Sequence, residues 1–458
     1  MLLRDKQMQK RGILLPLSSL PSTGGIGTLG KEAFDFIDFL RETNQNSWQM
    51  LPLCSIGRGN SPYASNSCFA GEILYIDLED LVKRGLLNQK EIESTEFPKN
   101  VDYGLMRKFK LPLLKKAAER FDKETSEFKG FCTENQFWLE SFALYMTEKY
   151  GDDISFYEIT QFIFYSQYDA LHRYANKNGI EIIGDIPFYV DIESADVKTN
   201  PKIFKLGKDL TPTLVAGVPP DIFSDTGQLW GNPIYNWDYL KTVNYYWWEK
   251  RLSHNAKLYD AVRIDHFRAF ADYYCIPKGS ADARHGFWQT GVGTDFWDKM
   301  RHISDNTQII AEDLGGEESP LVINLLKKTG FPNMKVLQFA FNSDESNIFL
   351  PRNFGKNCVC YTGTHDNDTT LGWYKKLSHN ELEMFNKTVP EKYASPVLNL
   401  ISFALSSKAD RVIIPFTDYL ELDSDCRINI PGKPTGNWEW RFSKKDITPQ
   451  LTETIKSI

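Results

Sequence analysis

The feature that most constrains the fold is a series of eight short apolar segments with helical patterns between them. The segments end in Pro, Gly or a carboxylate, which is typical of strands that are buried on both faces in a parallel sheet. They are residues 12–20, 47–53, 181–190, 259–265, 308–315, 334–341, 357–366 and 410–420. Residues 31–42 show the helical pattern, because their apolar side chains fall on one face. Eight strands that alternate with helices predict an α/β chain in which residues 1–458 form a single (β/α)8 TIM barrel.

Two long segments depart from this simple alternation. Residues 78–180 have mostly helical periodicity, so we expect an inserted helical subdomain between the second and third strands. Residues 191–258 are rich in Pro, Gly and aromatic residues, above all at 216–237. They hold too many large apolar side chains to remain solvated, which predicts a loop-rich insertion that covers the mouth of the barrel.

The composition excludes several classes of partner. The 458 residues carry a net charge of −7, so nucleic-acid backbones and anionic membrane surfaces are poor partners. No apolar stretch reaches the roughly 18 residues of a membrane helix, and no signal peptide follows the basic N-terminus, so we expect a cytoplasmic protein. The seven cysteines are irregularly spaced and form no CxxC pair, which favours reduced thiols over disulfides or a zinc site.

Acidic residues stand at the carboxyl ends of several predicted strands. In a parallel barrel these ends meet on one face, where barrel enzymes carry their chemistry. A carboxylate at the rim of a buried core costs free energy unless it is paired or used. A single strand-end aspartate often caps the next helix, but a whole set on one face favours a functional site. The set consists of Asp185, Asp265, Glu312, Asp313 and Asp366, the last preceded by His365.

Two carboxylates on either side of a sugar ring are the minimum for glycoside chemistry. A separation of about 5–5.5 Å gives retention through a covalent intermediate, and a wider one admits water and gives inversion. Arg263 lies two residues before Asp265, on the same face of the strand. Its charge would favour the ionised aspartate that a nucleophile needs. The alternative is that Arg263 makes a structural ion pair inside the barrel.

Three segments, taken in order, resemble the catalytic motifs of the amylomaltases, glycoside hydrolase family 77 of the α-amylase clan. They are VRIDHF (262–267), IIAEDLG (309–315) and TGTHDND (362–368). The resemblance extends along nearly the whole chain, for example through GDIPFYV (184–190) and NIPGKPTGNWEWRF (429–442). The chain departs from the family pattern at Ala269, at Val292 and in residues 416–422.

This resemblance implies a (β/α)8 barrel and a 4-α-glucanotransferase that moves α-1,4-glucan segments from maltooligosaccharide donors to maltooligosaccharide acceptors, without a cofactor or a metal. It implies that Asp265 is the nucleophile, that Glu312 is the general acid and base, and that Asp366 stabilises the transition state. The positions that match supporting residues are Arg263, His365 and Asp185. The positions that match sugar-binding residues are Tyr63, Ser61, Trp230, Asn232 and Asn429. We expect the 216–237 segment to exclude water, so that an acceptor sugar wins over hydrolysis.

Four other interpretations are open from the sequence. A hydrolase similar to α-amylase would use the same three carboxylates. Gly25–Gly30 matches G-x-G-x-x-G, but prolines separate it from the preceding strand, which argues against a nucleotide site. A non-catalytic glycan-binding protein would not need the three carboxylates. A metal site at His266 and His365 has no recognised ligand spacing, because the histidines are scattered.

Overall fold

The structure is a computed structural model that describes residues 9–93, 96–220 and 224–458. Its strands and helices alternate along most of the chain. The strands are β1 (Lys10–Leu14), β2 (Ser47–Gln49), β3 (Cys54–Ile56), β4 (Ser65–Gly71), β5 (Glu181–Ile186), β6 (Leu214–Val218), β7 (Gln228–Pro233), β8 (Ala261–Ile264), β9 (Asp272–Pro277), β10 (Phe287–Thr290), β11 (Gln308–Ala311), β12 (Asn333–Val336), β13 (Cys358–Tyr361) and β14 (Arg411–Pro415). The helices are α1 (Lys31–Glu42), α2 (Leu78–Lys83), α3 (Gln89–Ile92), α4 (Tyr103–Glu119), α5 (Ser126–Tyr150), α6 (Ile154–Lys177), α7 (Ala195–Thr199), α8 (Trp237–Thr242), α9 (Tyr246–Leu258), α10 (Gly293–Ser304), α11 (Pro320–Thr329), α12 (Thr370–Tyr374), α13 (His379–Thr388), α14 (Pro396–Leu405), α15 (Phe416–Tyr419) and α16 (Pro449–Ser457).

Eight strands close into a barrel, in the order β1-β14-β13-β12-β11-β8-β5-β2. Every neighbouring pair is parallel, and β1 pairs with both β14 and β2, so the sheet has no free edge. The predicted (β/α)8 barrel is therefore confirmed. Because all strands run the same way, their carboxyl ends open at one mouth.

Each predicted apolar segment overlaps one barrel strand but extends past its end. After β12 the chain turns through a 3-10 helix at Leu337–Phe339, and after β14 it forms helix α15, so strand was the wrong prediction for residues 337–339 and 416–419. Most of these residues are buried, which explains why the apolar run continues. A segment that leaves the barrel wall loses its hydrogen-bonded neighbours, and a helical turn then satisfies its backbone locally.

The first predicted helix shows how the outer layer packs. α1 spans the expected residues 31–42, and the side chains of Ala33, Phe36, Ile37 and Leu40 are buried. Phe36 packs against Trp48 of β2, with 4.9 Å between the ring centroids. The apolar stripe of the helix therefore covers the barrel wall, as its 3.6-residue period requires.

The two irregular segments contain regular elements of their own. Residues 78–180 carry helices α2 to α6, and residues 191–258 carry α7, β6, β7, α8 and α9, with 94–95 and 221–223 outside the described residues. β6 and β7 join β9 and β10 in an antiparallel sheet of order β10-β9-β6-β7. The division of the chain into a helical insertion and a covering insertion stays a prediction.

Within the described residues, no helix is long and apolar enough to cross a membrane. All seven cysteines lie in the described ranges, and each is a free thiol. Five of them are buried.

The amino ends of the barrel strands hold a polar cluster around the buried Arg411. The Arg411 guanidinium, on β14, donates to Glu181 Oε2 at 2.8 Å and to Gln308 Oε1 at 2.9 Å, and also bonds Ser47. The arginine is only 3% exposed. Four strands are thus joined through one side chain at the floor of the barrel.

We predict that Arg411→Met lowers the free energy of unfolding by about 1–3 kcal/mol, since it removes the guanidinium partner of the buried Ser47 hydroxyl and one of the two cations that pair with Glu181. Lys10 pairs with the same Glu181 but is about a third exposed, so Lys10→Met should cost less than about 1 kcal/mol. Urea unfolding followed by circular dichroism measures both variants. Equal losses would contradict the structural role given to Arg411.

Candidate active site

Arg263 joins two aspartates at the mouth of the barrel. It lies on β8 opposite Asp185 of β5, and its Nη1 is 2.8 and 2.7 Å from the two carboxylate oxygens of Asp185. Its Nη2 donates to Oδ1 of Asp265 at 3.0 Å. Asp185 and Arg263 are buried, whereas the Asp265 side chain is 29% exposed. The arginine therefore links a buried anion to one that faces the mouth.

The position of Asp265 sets its acidity. Burial raises the pKa of Asp265 to about 6, with Asp185 and Asp366 adding to the rise and Arg263 opposing it. A carboxyl with this pKa is mostly ionised at neutral pH. The arginine thus favours the ionised form of a carboxyl group whose charge its other surroundings disfavour.

Glu312 is held against the residue that follows Asp265. It comes directly after β11, and its Oε2 accepts the backbone N–H of His266 at 2.6 Å. Its Oε1 accepts the N–H of Leu314 at 3.0 Å. His266 has φ +53°, a left-handed conformation that non-glycine residues rarely adopt. This turn aims the N–H at Glu312 and fixes the two carboxylates in relation to each other.

The pKa of Glu312 lies above that of Asp265. Burial raises the pKa of Glu312 to about 8, although Arg263 and the His266 N–H act against the rise. The negative charges of Asp265 and Asp313 contribute to it. This difference favours a protonated Glu312 beside an ionised Asp265 at neutral pH. Two adjacent carboxyl groups can act as an acid and as a base or nucleophile only if their pKa values differ.

Asp366 reaches the mouth from the loop after β13. Its side chain is 44% exposed, and its Oδ1 accepts Nδ2 of Asn429 at 2.6 Å. Its backbone N–H donates to Oγ1 of Thr364 at 3.2 Å, and its carbonyl accepts from Arg427. Arg427 also donates to the Asn429 carbonyl at 2.7 Å. The loop and the segment from 427 to 429 therefore fix Asp366 together.

Tyr63 connects the Asp185 side of the mouth with the Asp366 side. Its hydroxyl donates to Oδ2 of Asp185 at 2.7 Å, and its ring stacks on His365 with 5.1 Å between centroids. Nε2 of His365 lies 3.4 Å from Oδ1 of Asp366. Oγ of Ser61 accepts the Tyr63 backbone N–H at 3.2 Å, so Ser61 supports Tyr63.

Trp230 and Asn232 reach the mouth on β7. The Trp230 ring meets His266 edge to face, with centroids 4.8 Å apart, which places it beside the turn that holds Glu312. Asn232 donates to the Val190 carbonyl at 2.8 Å, and this hydrogen bond anchors β7 to the segment after β5. Both side chains are half-buried.

The structure brings together the three predicted carboxylates and the three predicted supporting residues. Tyr63 and Asn429 contact this group directly, Ser61 does so through Tyr63, Trp230 packs on the neighbouring His266, and Asn232 lies further along β7. Arg427 was not predicted from the sequence, because a lone arginine in an irregular segment carries no pattern. In the described ranges no group of three or more His, Cys, Asp or Glu is arranged to hold a metal ion.

These features define a parallel-barrel enzyme with a carboxylate site at its mouth. Comparison with known proteins specifies the class. The glycoside hydrolase family 77 model, described as 4-alpha-glucanotransferase, matches residues 15–150 and 146–448. The chain belongs to this family.

Relatives of the chain are similar over their full length. The 4-alpha-glucanotransferase of Streptococcus pneumoniae serotype 4 is 41% identical, over 98% of this chain and 96% of that protein. The enzyme of the same name from Aquifex aeolicus is 39% identical, over 98% of each. The structure of amylomaltase from Streptococcus agalactiae in complex with acarbose matches with a TM-score of 0.94, 35% identity and 98% coverage of each chain. The enzyme is therefore a 4-α-glucanotransferase.

Proposed function

We propose that this 4-α-glucanotransferase transfers α-1,4-glucan segments between maltooligosaccharides by a retaining double displacement through a glycosyl ester of Asp265. The observation that carries the proposal is geometric: Arg263 donates to Asp265 at 3.0 Å, and Glu312 accepts the N–H of the next residue, His266, at 2.6 Å. The amylomaltase from Streptococcus agalactiae is in complex with acarbose, a maltooligosaccharide-like compound, which supports the substrate class.

In the first step the ionised carboxylate of Asp265 attacks C1 of the donor sugar. The bond between C1 and the glycosidic oxygen breaks, and Glu312 gives its proton to that oxygen, so the shortened glucan leaves as an alcohol. Asp265 is now esterified and Glu312 is a carboxylate.

In the second step the 4-hydroxyl of an acceptor sugar attacks C1. Glu312 takes the hydroxyl proton, the ester bond to Asp265 breaks, and a new α-1,4 linkage forms. Two inversions at C1 leave its configuration unchanged. Asp265 and Glu312 return to their starting charges, so the cycle consumes no cofactor.

Asp366 and its neighbours would stabilise the oxocarbenium-like transition state. Its second carboxylate oxygen is available for sugar hydroxyls, since Asn429 donates to Oδ1. Hydrogen-bonding side chains that are already oriented lose little entropy when positive charge develops at C1 of the sugar. Arg263, Asp185 and His365 would keep this group aligned.

Transfer rather than hydrolysis requires that water is kept from the glycosyl ester. We assign this role to the insertion of residues 191–258, and above all to Trp230, which packs on His266 beside Asp265. A dry site strengthens the electrostatic contacts and favours a bound acceptor sugar over water.

The helical insertion of residues 78–180 is proposed as a separate subdomain.

We predict that Asp265→Asn abolishes formation of longer oligosaccharides from maltotriose, and that Glu312→Gln nearly does so, because the first lacks a nucleophile and the second a proton donor. The control is Asp298→Asn, which makes the same change on an exposed side chain of α10 and should leave turnover close to wild type. Products are followed by mass spectrometry. Wild-type turnover by either site variant would refute the mechanism, and steady release of reducing ends without longer products would indicate a hydrolase.

We predict a bell-shaped pH profile of kcat/KM with midpoints near the two pKa values of about 6 and about 8. Activity needs Asp265 without its proton and Glu312 with it, so it falls as pH drops through the lower value and as pH rises through the higher one. With an α-glycosyl fluoride donor, whose leaving group needs no proton, formation of the glycosyl-enzyme should lose the basic limb. A basic limb that persists in that step would contradict the role of Glu312.

We predict that Trp230→Ala raises the ratio of free glucose to transferred product, because water gains access to the glycosyl ester. Leu229→Ala is the matched control, since Leu229 is exposed and points to the opposite face of β7. Both variants are assayed with maltotriose alone. A ratio that is the same in both would remove the water-excluding role of Trp230.

A further inference from the structure

Met334 contacts Arg263 from inside the barrel. It lies on β12 inside the barrel and is completely buried. Its Sδ is 3.4 Å from Nε of Arg263 and accepts the hydrogen bond of that N–H. In the sequence this methionine belongs to an apolar run and is indistinguishable from ordinary core.

The contact completes the binding of a planar group. Nη1 of Arg263 donates to Asp185, Nη2 donates to Asp265, and Nε donates to Met334. Because the guanidinium is planar and rigid, fixing Nε and Nη1 also fixes the direction in which Nη2 points. That direction decides how closely the positive charge approaches Asp265.

A thioether suits this position because it is neutral. It is a weak acceptor, but it satisfies an N–H that is buried with the 3% exposed arginine. A carboxylate there would draw the positive charge away from Asp185 and Asp265. A hydrocarbon would leave the N–H unpaired, which is costly in a dry interior.

Met334 is itself anchored to the other side of the site. Its backbone N–H donates to Oδ1 of Asp313 at 3.2 Å, and the side chain of Asn333 donates to Oδ2 at 2.8 Å. Asp313 is the residue next to Glu312. The start of β12 is therefore held by the segment that carries the proposed general acid.

We propose that Met334 is a positioning residue of the active site, whose thioether orients the Arg263 guanidinium toward Asp265. The proposal rests on the assignment of Asp265 as the nucleophile. Met334 acts only through Arg263.

The expected consequence is a change in the acid limb of the pH profile. Without the sulfur the guanidinium can turn away from Asp265, so the aspartate loses part of its stabilising charge and takes up a proton at higher pH. The other titratable or charged groups that act on Asp265, or on Arg263 beside it, are Asp185, Asp366, His365, Glu312 and Tyr63. They are unchanged in the variants below.

The test compares Met334→Leu with Met334→Gln and with Met300→Leu. Leucine keeps the approximate shape without an acceptor, glutamine offers an amide oxygen to the same N–H, and Met300 is a buried methionine of α10 away from the mouth. For Met334→Leu we expect kcat to fall about tenfold, as for loss of a hydrogen bond to a charged group, with little change in KM. Its acid limb should move to higher pH, whereas Met334→Gln and Met300→Leu should retain the wild-type limb.

The proposal would be overturned if the acid limb of Met334→Leu lay at the same pH as that of Met300→Leu. It would also be overturned if folded Met334→Gln showed the same shift of the acid limb as Met334→Leu. If Met334→Leu does not fold, Met334→Gln and a crystal structure of the wild type decide. A distance well beyond 4 Å between Arg263 Nε and Met334 Sδ would refute the contact. The proposed function fails separately: turnover by Asp265→Asn would refute the nucleophile, whereas a dead Asp265→Asn with an unmoved limb in Met334→Leu would refute only the positioning role.

Discussion

The site depends on one buried cation. Arg263 sits between Asp185, which is fully buried, and Asp265, which faces the mouth. A buried charge without partners costs several kcal/mol, so the arginine and Asp185 stabilise each other first. The remaining N–H groups then act on Asp265. In this arrangement a single side chain both forms the ion pair inside the barrel and favours the ionised form of Asp265, the proposed nucleophile.

The second constraint is geometric and comes from the backbone. Barrel strands β8 and β11 are neighbours, and the left-handed turn at His266 lets its N–H reach the Glu312 carboxylate. Glu312 consequently stays close to Asp265 but in a drier place, and its pKa rises further. The difference between the proposed acid and the proposed nucleophile thus follows from how deeply each carboxyl lies. The left-handed residue His266 lies where its N–H contacts Glu312.

The sequence predicted those parts that periodicity and strand direction control. Asp185, Asp265 and Glu312 follow or end apolar runs, and parallel strands must bring such ends together. It could not show that Asp185 is the main partner of Arg263, because side-chain pairing across strands depends on register. The left-handed turn at His266 left no trace either, since a non-glycine residue at that position carries no signal.

Other parts depend on contacts between distant segments. Arg427 and Asn429 come from an irregular stretch after the last barrel strand, and the resemblance suggested Asn429 only as a sugar-binding residue, whereas it also holds Asp366. Met334 looks like core in the sequence and is core by burial, yet its sulfur bonds the site. Such roles depend on the contact of a single atom. Residue type and spacing predict the face of a strand or helix on which a side chain lies, but not the contact that each of its atoms makes.

The most direct test of the account is to trap the glycosyl-enzyme. Glu312→Gln is mixed with an α-maltosyl fluoride donor in the absence of acceptor, then digested and analysed by mass spectrometry. Fluoride leaves without a proton and the second step lacks its base, so the intermediate should accumulate as a glycosyl group on the peptide that contains Asp265. A glycosyl group on another residue, or turnover with no labelled peptide, would contradict the mechanism.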